Sequence, residues 1–188
     1  MRKFSVRPAI TLRGRKFKGL RGWAGKPSHP PFTDFPVAAY VLAAVFDVIS
    51  VVGGSSHSWA GEFFHAATYV FIGGAAVSLL AALTGWWDWL KSSQPGNQAR
   101  RTINTHAVIM ITVTVLALAD IAWRLNVYHS ASCTGVGLAV LSAVVAILVS
   151  LGATYGGTLV FDYGFNVETA GDHPVWHTSE DDVFPGHE

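Results

Sequence analysis

Four long apolar stretches, separated by short polar segments, dominate the sequence. They cover approximately residues 36–53, 59–90, 103–125 and 135–161. A helix needs about 20 mainly apolar residues to cross the hydrocarbon core of a bilayer, and each stretch is long enough to do so. The pattern therefore predicts an all-α fold, an integral membrane four-helix bundle whose helices contain nearly all the apolar residues.

Composition supports a membrane protein and divides the chain into three parts. The sequence is 51% hydrophobic and only 13% charged, with a mean hydropathy of +0.36. Its first 28 residues are rich in Lys and Arg and contain no short apolar core with a cleavage site, so we do not expect a secretory signal. The predicted parts are a basic cytoplasmic arm (1–28), a four-helix domain (29–167) and an acidic, His-containing cytoplasmic tail (168–188).

The positions of the basic residues predict the orientation in the membrane. Nine Lys and Arg precede the first predicted span, three lie between the second and third spans, and only Arg124 remains for the other side. Cytoplasmic segments carry an excess of positive charge, so both termini should be cytoplasmic. The basic arm is then expected to contact anionic lipid headgroups, and no nucleic-acid partner is predicted.

Ionisable residues inside predicted spans fall into two layers, because a helix rises 1.5 Å per residue. The inner layer contains His29, Asp88 and His106. Two imidazoles on opposite sides of a macrocycle suit a b-type haem, and two imidazoles with a carboxylate suit a metal ion. A plainer alternative is that Asp88 pairs with Arg101 or a helix end and His106 forms an interfacial hydrogen bond.

The outer layer contains Asp47, His65 and Asp120, which we interpret as a hydrogen-bonded cluster between helices. Asp47 should face another helix, with His65 or Asp120 as its neighbour, and Arg124 should form a partly hydrated pair with Asp120. Glu62 and His65 form one Glu-x-x-His pair, but carboxylate-bridged di-metal bundles need two such pairs.

The sequence contains no complete set of catalytic residues. It has no nucleophile–base–acid arrangement, no phosphate-binding loop and no CxxC motif, and Cys133 is its single cysteine. We therefore predict no catalytic residues, and whether the protein is an enzyme stays open.

Several short motifs in a fixed order add a family resemblance. They are HPPFTDFPVA, LTGWWDW, RRTINTHA and GGTLVFDYG, together with the isolated Asp47. This combination resembles the domain-of-unknown-function 2231 family of small four-helix bacterial membrane proteins, over roughly residues 28–167. The positions that carry the resemblance are His29, Pro30, Phe35, Pro36, Asp47, Gly85, Asp88, His106, Gly156 and Gly157. The resemblance implies the bacterial inner (cytoplasmic) membrane. It also implies a redox association, since some relatives resemble fusions to Rieske iron–sulfur domains.

Three functions are compatible with these patterns. The first is membrane electron transfer, with haem b or a metal ion held by His29 and His106 while Asp88 orients an imidazole. In that hypothesis an extended, proline-stiffened segment, HPPFTDFP, brings His29 towards the other two residues. The alternative is a non-catalytic accessory or structural subunit of a larger, respiratory-type membrane complex. A proton or small-solute pathway through both layers is the third, and the apolar middle of the bundle disfavours it.

Overall fold

Four helices form the whole regular structure in the part of the chain that the computed structural model describes, residue 20 and residues 27–167. They are α1 (His29–Gly53), α2 (Ser58–Ser92), α3 (Gln98–Val127) and α4 (Val136–Phe161). All four are long and apolar enough to cross a membrane. Each helix packs against the next, and α1 also packs against α4, which closes the bundle. The predicted all-α membrane bundle is confirmed.

We call the end where α1 begins and α4 ends the inner end, and the opposite end the outer end. The sequence predicts that the first helix starts near residue 36, after an extended HPPFTDFP segment. This prediction is wrong. Helix α1 begins at His29, with Pro30 and Pro31 as its second and third residues and Pro36 inside it. Prolines fit a first helical turn because the N–H groups there have no partner within the helix.

The middle of the bundle is apolar. A cluster of fully or nearly fully buried residues is drawn from all four helices: Tyr40, Ala43, Ala67, Phe71, Val113, Ala117, Val145 and Val149. Small residues allow close approach here, since a Cβ on Gly74 would lie 2.9 Å from the Cβ of Ala39 on α1. This apolar layer separates the polar residues of the inner end from those of the outer end.

The basic arm and acidic tail fall outside the described residues, apart from Leu20, Pro27 and Ser28 in the arm. Leu20 is connected to the bundle: its carbonyl accepts hydrogen bonds from the backbone N–H (3.1 Å) and hydroxyl (3.0 Å) of Ser28. Ser28, the residue before α1, is held by these bonds, and its side chain does not cap the helix.

The topology prediction follows from four spans and the charge distribution. An even number of crossings places both ends of the four-helix domain on one side, and the excess of basic residues there predicts that this side is cytoplasmic. A cytoplasm-active reporter fused after Glu188 should be active, as should one fused in the loop after α2. A reporter after Glu188 that works only outside the cytoplasm would show that the orientation is reversed.

Candidate functional site

His29 is anchored at the inner end by the backbone of the neighbouring helix. From the first position of α1, its Nδ1 lies 2.9 Å from the Ala81 carbonyl oxygen on α2 and 3.2 Å from the Thr84 hydroxyl. The ring lies directly against Gly85, where a Cβ would come within 2.7 Å of the imidazole Cε1. The imidazole therefore occupies the space that any side chain at position 85 would fill.

His106 is anchored in the same way on the other pair of helices. From α3, its Nδ1 lies 2.8 Å from the Gly152 carbonyl oxygen on α4, and its ring packs over Gly156. In both cases the accepting carbonyl lies four residues before the glycine. Helical side chains tilt towards the N-terminus, so a residue at that position normally covers this carbonyl. Glycine leaves it open to an imidazole from the next helix.

These hydrogen bonds determine the chemistry of the two imidazoles. A carbonyl oxygen can only accept, so Nδ1 must carry the proton in both rings. In the neutral imidazole this leaves Nε2 with a free lone pair. Neither Nε2 has a hydrogen-bond partner among the residues that the structure describes. The inner end thus presents two nitrogen ligands, each orientated by a backbone carbonyl.

By residue count along α2 and α3, the two imidazoles lie at similar depths. Gly85, beneath the His29 ring, lies seven residues before the last residue of α2, and His106 lies eight residues after the first residue of α3. At 1.5 Å per residue these separations are about 10 and 12 Å. The sequence likewise predicts that His29 and His106 share one depth.

Asp88 has a different role from the one expected. The backbone carbonyls of Ala81 and Gly152, and not Asp88, accept the imidazole N–H groups. Asp88 is 4% exposed, and its Oδ1 accepts the backbone N–H of Leu20 at 3.1 Å. Its carboxylate attaches the end of the arm to α2.

A metal ion needs more than two ligands, and the described residues do not supply them. No group of three His, Cys, Asp or Glu side chains in this part of the chain is placed to hold one. The paired imidazoles suit a group that uses two axial ligands better than a small ion with several protein ligands.

At the outer end, Arg124 connects two helices through two carboxylates. Its Nη1 donates to Asp47 Oδ1 at 3.0 Å, its Nη2 donates to Asp47 Oδ2, and its Nε donates to Asp120 Oδ1. All three side chains are fully buried, and the Arg124 guanidinium lies over the Phe71 ring. Asp47 does face another helix, but its direct partner is Arg124. The pair of Asp120 and Arg124 is fully buried, so the prediction that this pair is partly hydrated is wrong.

His65 does not form a described hydrogen bond with this cluster. Its ring stacks on Tyr128, with 4.7 Å between ring centroids, and its Nε2 is buried without a partner among the described residues. The prediction that His65 joins Asp47 and Asp120 in one hydrogen-bonded cluster is therefore wrong. Two hydroxyl groups complete the cluster instead: Thr134 donates to Asp47 at 2.9 Å, and Ser50 accepts the backbone N–H of Thr134 at 2.8 Å.

Sequence reasoning missed two kinds of contributor to these sites. The carbonyls of Ala81 and Gly152 carry no side-chain signal, although the glycine four residues after each one is visible in the sequence. For Arg124, the sequence predicts a pair with Asp120 but not the contact with Asp47. The sequence does contain a signal for this pairing: Arg124 is a lone arginine within a span, and a charge there needs carboxylate partners inside the protein.

Comparison with known proteins agrees with this architecture. Residues 25–169 match the family described as "Predicted membrane protein (DUF2231)". This match covers most of the chain, and the protein belongs to that family of multi-pass membrane proteins. No curated protein and no solved structure gives a significant match.

The contact between the His29 ring and Gly85 leads to a prediction about packing. An alanine at position 85 would place its Cβ against the imidazole at 2.7 Å and should displace it, costing about 1–3 kcal/mol of stability. The matched control is Gly157→Ala, whose Cβ would meet only Phe161, at 3.9 Å.

Alanine is favoured over glycine within helices by about 0.5–1 kcal/mol, so the control should be neutral or slightly stabilised. Thermal unfolding of both variants in one detergent measures the difference. Equal melting temperatures for Gly85→Ala and Gly157→Ala would mean that His29 does not pack on Gly85.

Proposed function

We propose that this protein is a membrane redox component that binds a b-type haem through the Nε2 atoms of His29 and His106. The observation that carries the proposal is the repeated anchoring of two imidazoles at one depth, each with Nδ1 bonded to a backbone carbonyl and Nε2 free. Haem ligands need the free nitrogen, and ligating histidines commonly donate their other N–H to a carbonyl or carboxylate.

The location of the two ligands supports haem. His29 belongs to the α1–α2 pair and His106 to the α3–α4 pair, so each imidazole reaches the site from a different hairpin. Two axial ligands must approach a macrocycle from opposite faces, which separate hairpins allow. A backbone carbonyl accepts a hydrogen bond from each ring, and the Thr84 hydroxyl also lies near His29, so these contacts orientate both imidazoles.

A bound haem would supply one-electron chemistry, with the iron alternating between its ferric and ferrous states. The protein's own contribution is to fix both imidazoles and to limit water by surrounding them with apolar helices. The Nδ1–H bond to a carbonyl increases the basicity of Nε2 and strengthens its bond to iron. Main-chain acceptors do this at both positions without adding a charge to the membrane.

The proposed site is at the inner end, which the distribution of basic residues predicts to be the cytoplasmic face. A redox partner would therefore exchange electrons from the cytoplasmic side, and we propose the bacterial inner membrane as the location. The basic arm would contact anionic lipid headgroups there, close to the electron-transfer site. A chain that carries no cofactor would instead serve as an accessory subunit of a larger membrane complex.

Absorption spectroscopy of the protein purified with a haem supply tests the proposal. The protein as expressed should show the reduced-minus-oxidised spectrum of a six-coordinate, low-spin haem at about one haem per chain. His29→Ala and His106→Ala should each abolish that spectrum, because each removes one axial ligand.

His65→Ala is the matched control, since His65 is a spanning-segment histidine at the other end of the bundle. It should keep the spectrum unchanged. A folded protein without a Soret band, or equal loss in His65→Ala, would contradict the haem assignment. Bound metal without haem, found by elemental analysis, would favour the metal-ion alternative.

A further inference from the structure

The outer cluster holds a second titratable site that the haem proposal does not use. We propose that Asp120 is a proton-binding carboxyl, which carries a proton at neutral pH while Asp47 and Arg124 stay ionised. The assignment rests on which oxygens of the two carboxyl groups have donors.

Asp47 has the contacts of an ionised carboxylate. Its Oδ1 accepts hydrogen bonds from Arg124 (3.0 Å) and from the Thr134 hydroxyl (2.9 Å), and its Oδ2 accepts from the second guanidinium nitrogen. A two-pronged guanidinium contact of this kind suits a negative charge on both oxygens. A proton on either Asp47 oxygen would weaken the charge-assisted bonds that the guanidinium donates to this carboxylate.

Asp120 differs from Asp47 in one atom. Its Oδ1 accepts from Arg124 Nε, but its Oδ2 is buried and has no hydrogen-bond partner among the described residues. The residue has no exposed surface at all. An ionised oxygen in that position would be costly, because no described residue donates a hydrogen bond to it. A proton on Oδ2 removes the charge at the atom where no donor is available.

The charge balance of the cluster leads to the same assignment. Two carboxylates and one guanidinium would leave a net charge of −1 inside the membrane, and one proton makes the group neutral. Among the described residues, α4 places no acidic or basic side chain within the membrane. On α2, Glu62 is exposed, and His65 lies at about the same depth as Asp120 but stacks its ring on Tyr128. Asp47 of α1 and Arg124 of α3 are therefore the charged groups that face Asp120.

This proton has a structural consequence. The cluster joins α1, α3 and the loop before α4, since Thr134 and Ser50 extend it by hydrogen bonds. Loss of the proton would place an unpaired charge at this junction and loosen the outer end. Asp120 thus makes closure of the outer end dependent on proton binding.

Infrared difference spectroscopy detects the proton directly. At neutral pH the folded protein should show the carbonyl stretch of one protonated carboxyl, which moves in heavy water and disappears as pH is raised. Asp120→Asn should lack the band, and Asp120→Glu should keep one at a different frequency. Asp88→Asn is the control, because Asp88 is also nearly buried but lies at the inner end.

A further variant decides which carboxyl carries the proton. Thr134→Val removes a donor from Asp47 and none from Asp120, so it should leave the band in place. A band displaced in Thr134→Val would place the proton on Asp47 and overturn the assignment. So would a neutral-pH spectrum of the unsubstituted protein without a protonated carboxyl, or a band that persists in Asp120→Asn.

Discussion

A polar side chain in hydrocarbon must find its partner inside the protein, because no water is present to replace one. At the outer end Arg124 meets this requirement for Asp47 and for one oxygen of Asp120. At the inner end, two backbone carbonyls meet it for His29 and His106. The apolar middle of the bundle needs no such partners and separates the two ends. Each polar residue therefore determines where its helix must lie relative to a neighbour.

The inner end meets the requirement with backbone groups, and this has a functional consequence. A carboxylate partner would bring a second charge into the membrane, whereas the carbonyls of Ala81 and Gly152 bring none. Glycines at positions 85 and 156 leave these carbonyls accessible to the imidazoles. The same local arrangement occurs in the α1–α2 and α3–α4 pairs. In both pairs the carbonyl bond is made by Nδ1, which leaves Nε2 as the nitrogen that the proposed haem would use.

Much of the fold was predictable because length and hydropathy determine which segments span a membrane. The depth of each polar residue also followed, since rise per residue is constant along a helix. Partner choice did not follow. It depends on the rotation of each helix about its axis, which is why Arg124 rather than His65 proved to be the partner of Asp47. The start of α1 differs from the prediction because proline, which breaks a helix interior, is tolerated in the first turn of a helix.

Whether both imidazoles bind the same iron is the central question, and pulsed electron paramagnetic resonance answers it most directly. The protein would be produced with ¹⁵N-labelled histidine and examined in its oxidised form. If His29 and His106 both bind the haem, low-spin ferric iron should show hyperfine coupling to two directly bonded histidine nitrogens, one from each residue. Coupling to a single histidine nitrogen, or a ferric signal with none, would contradict it.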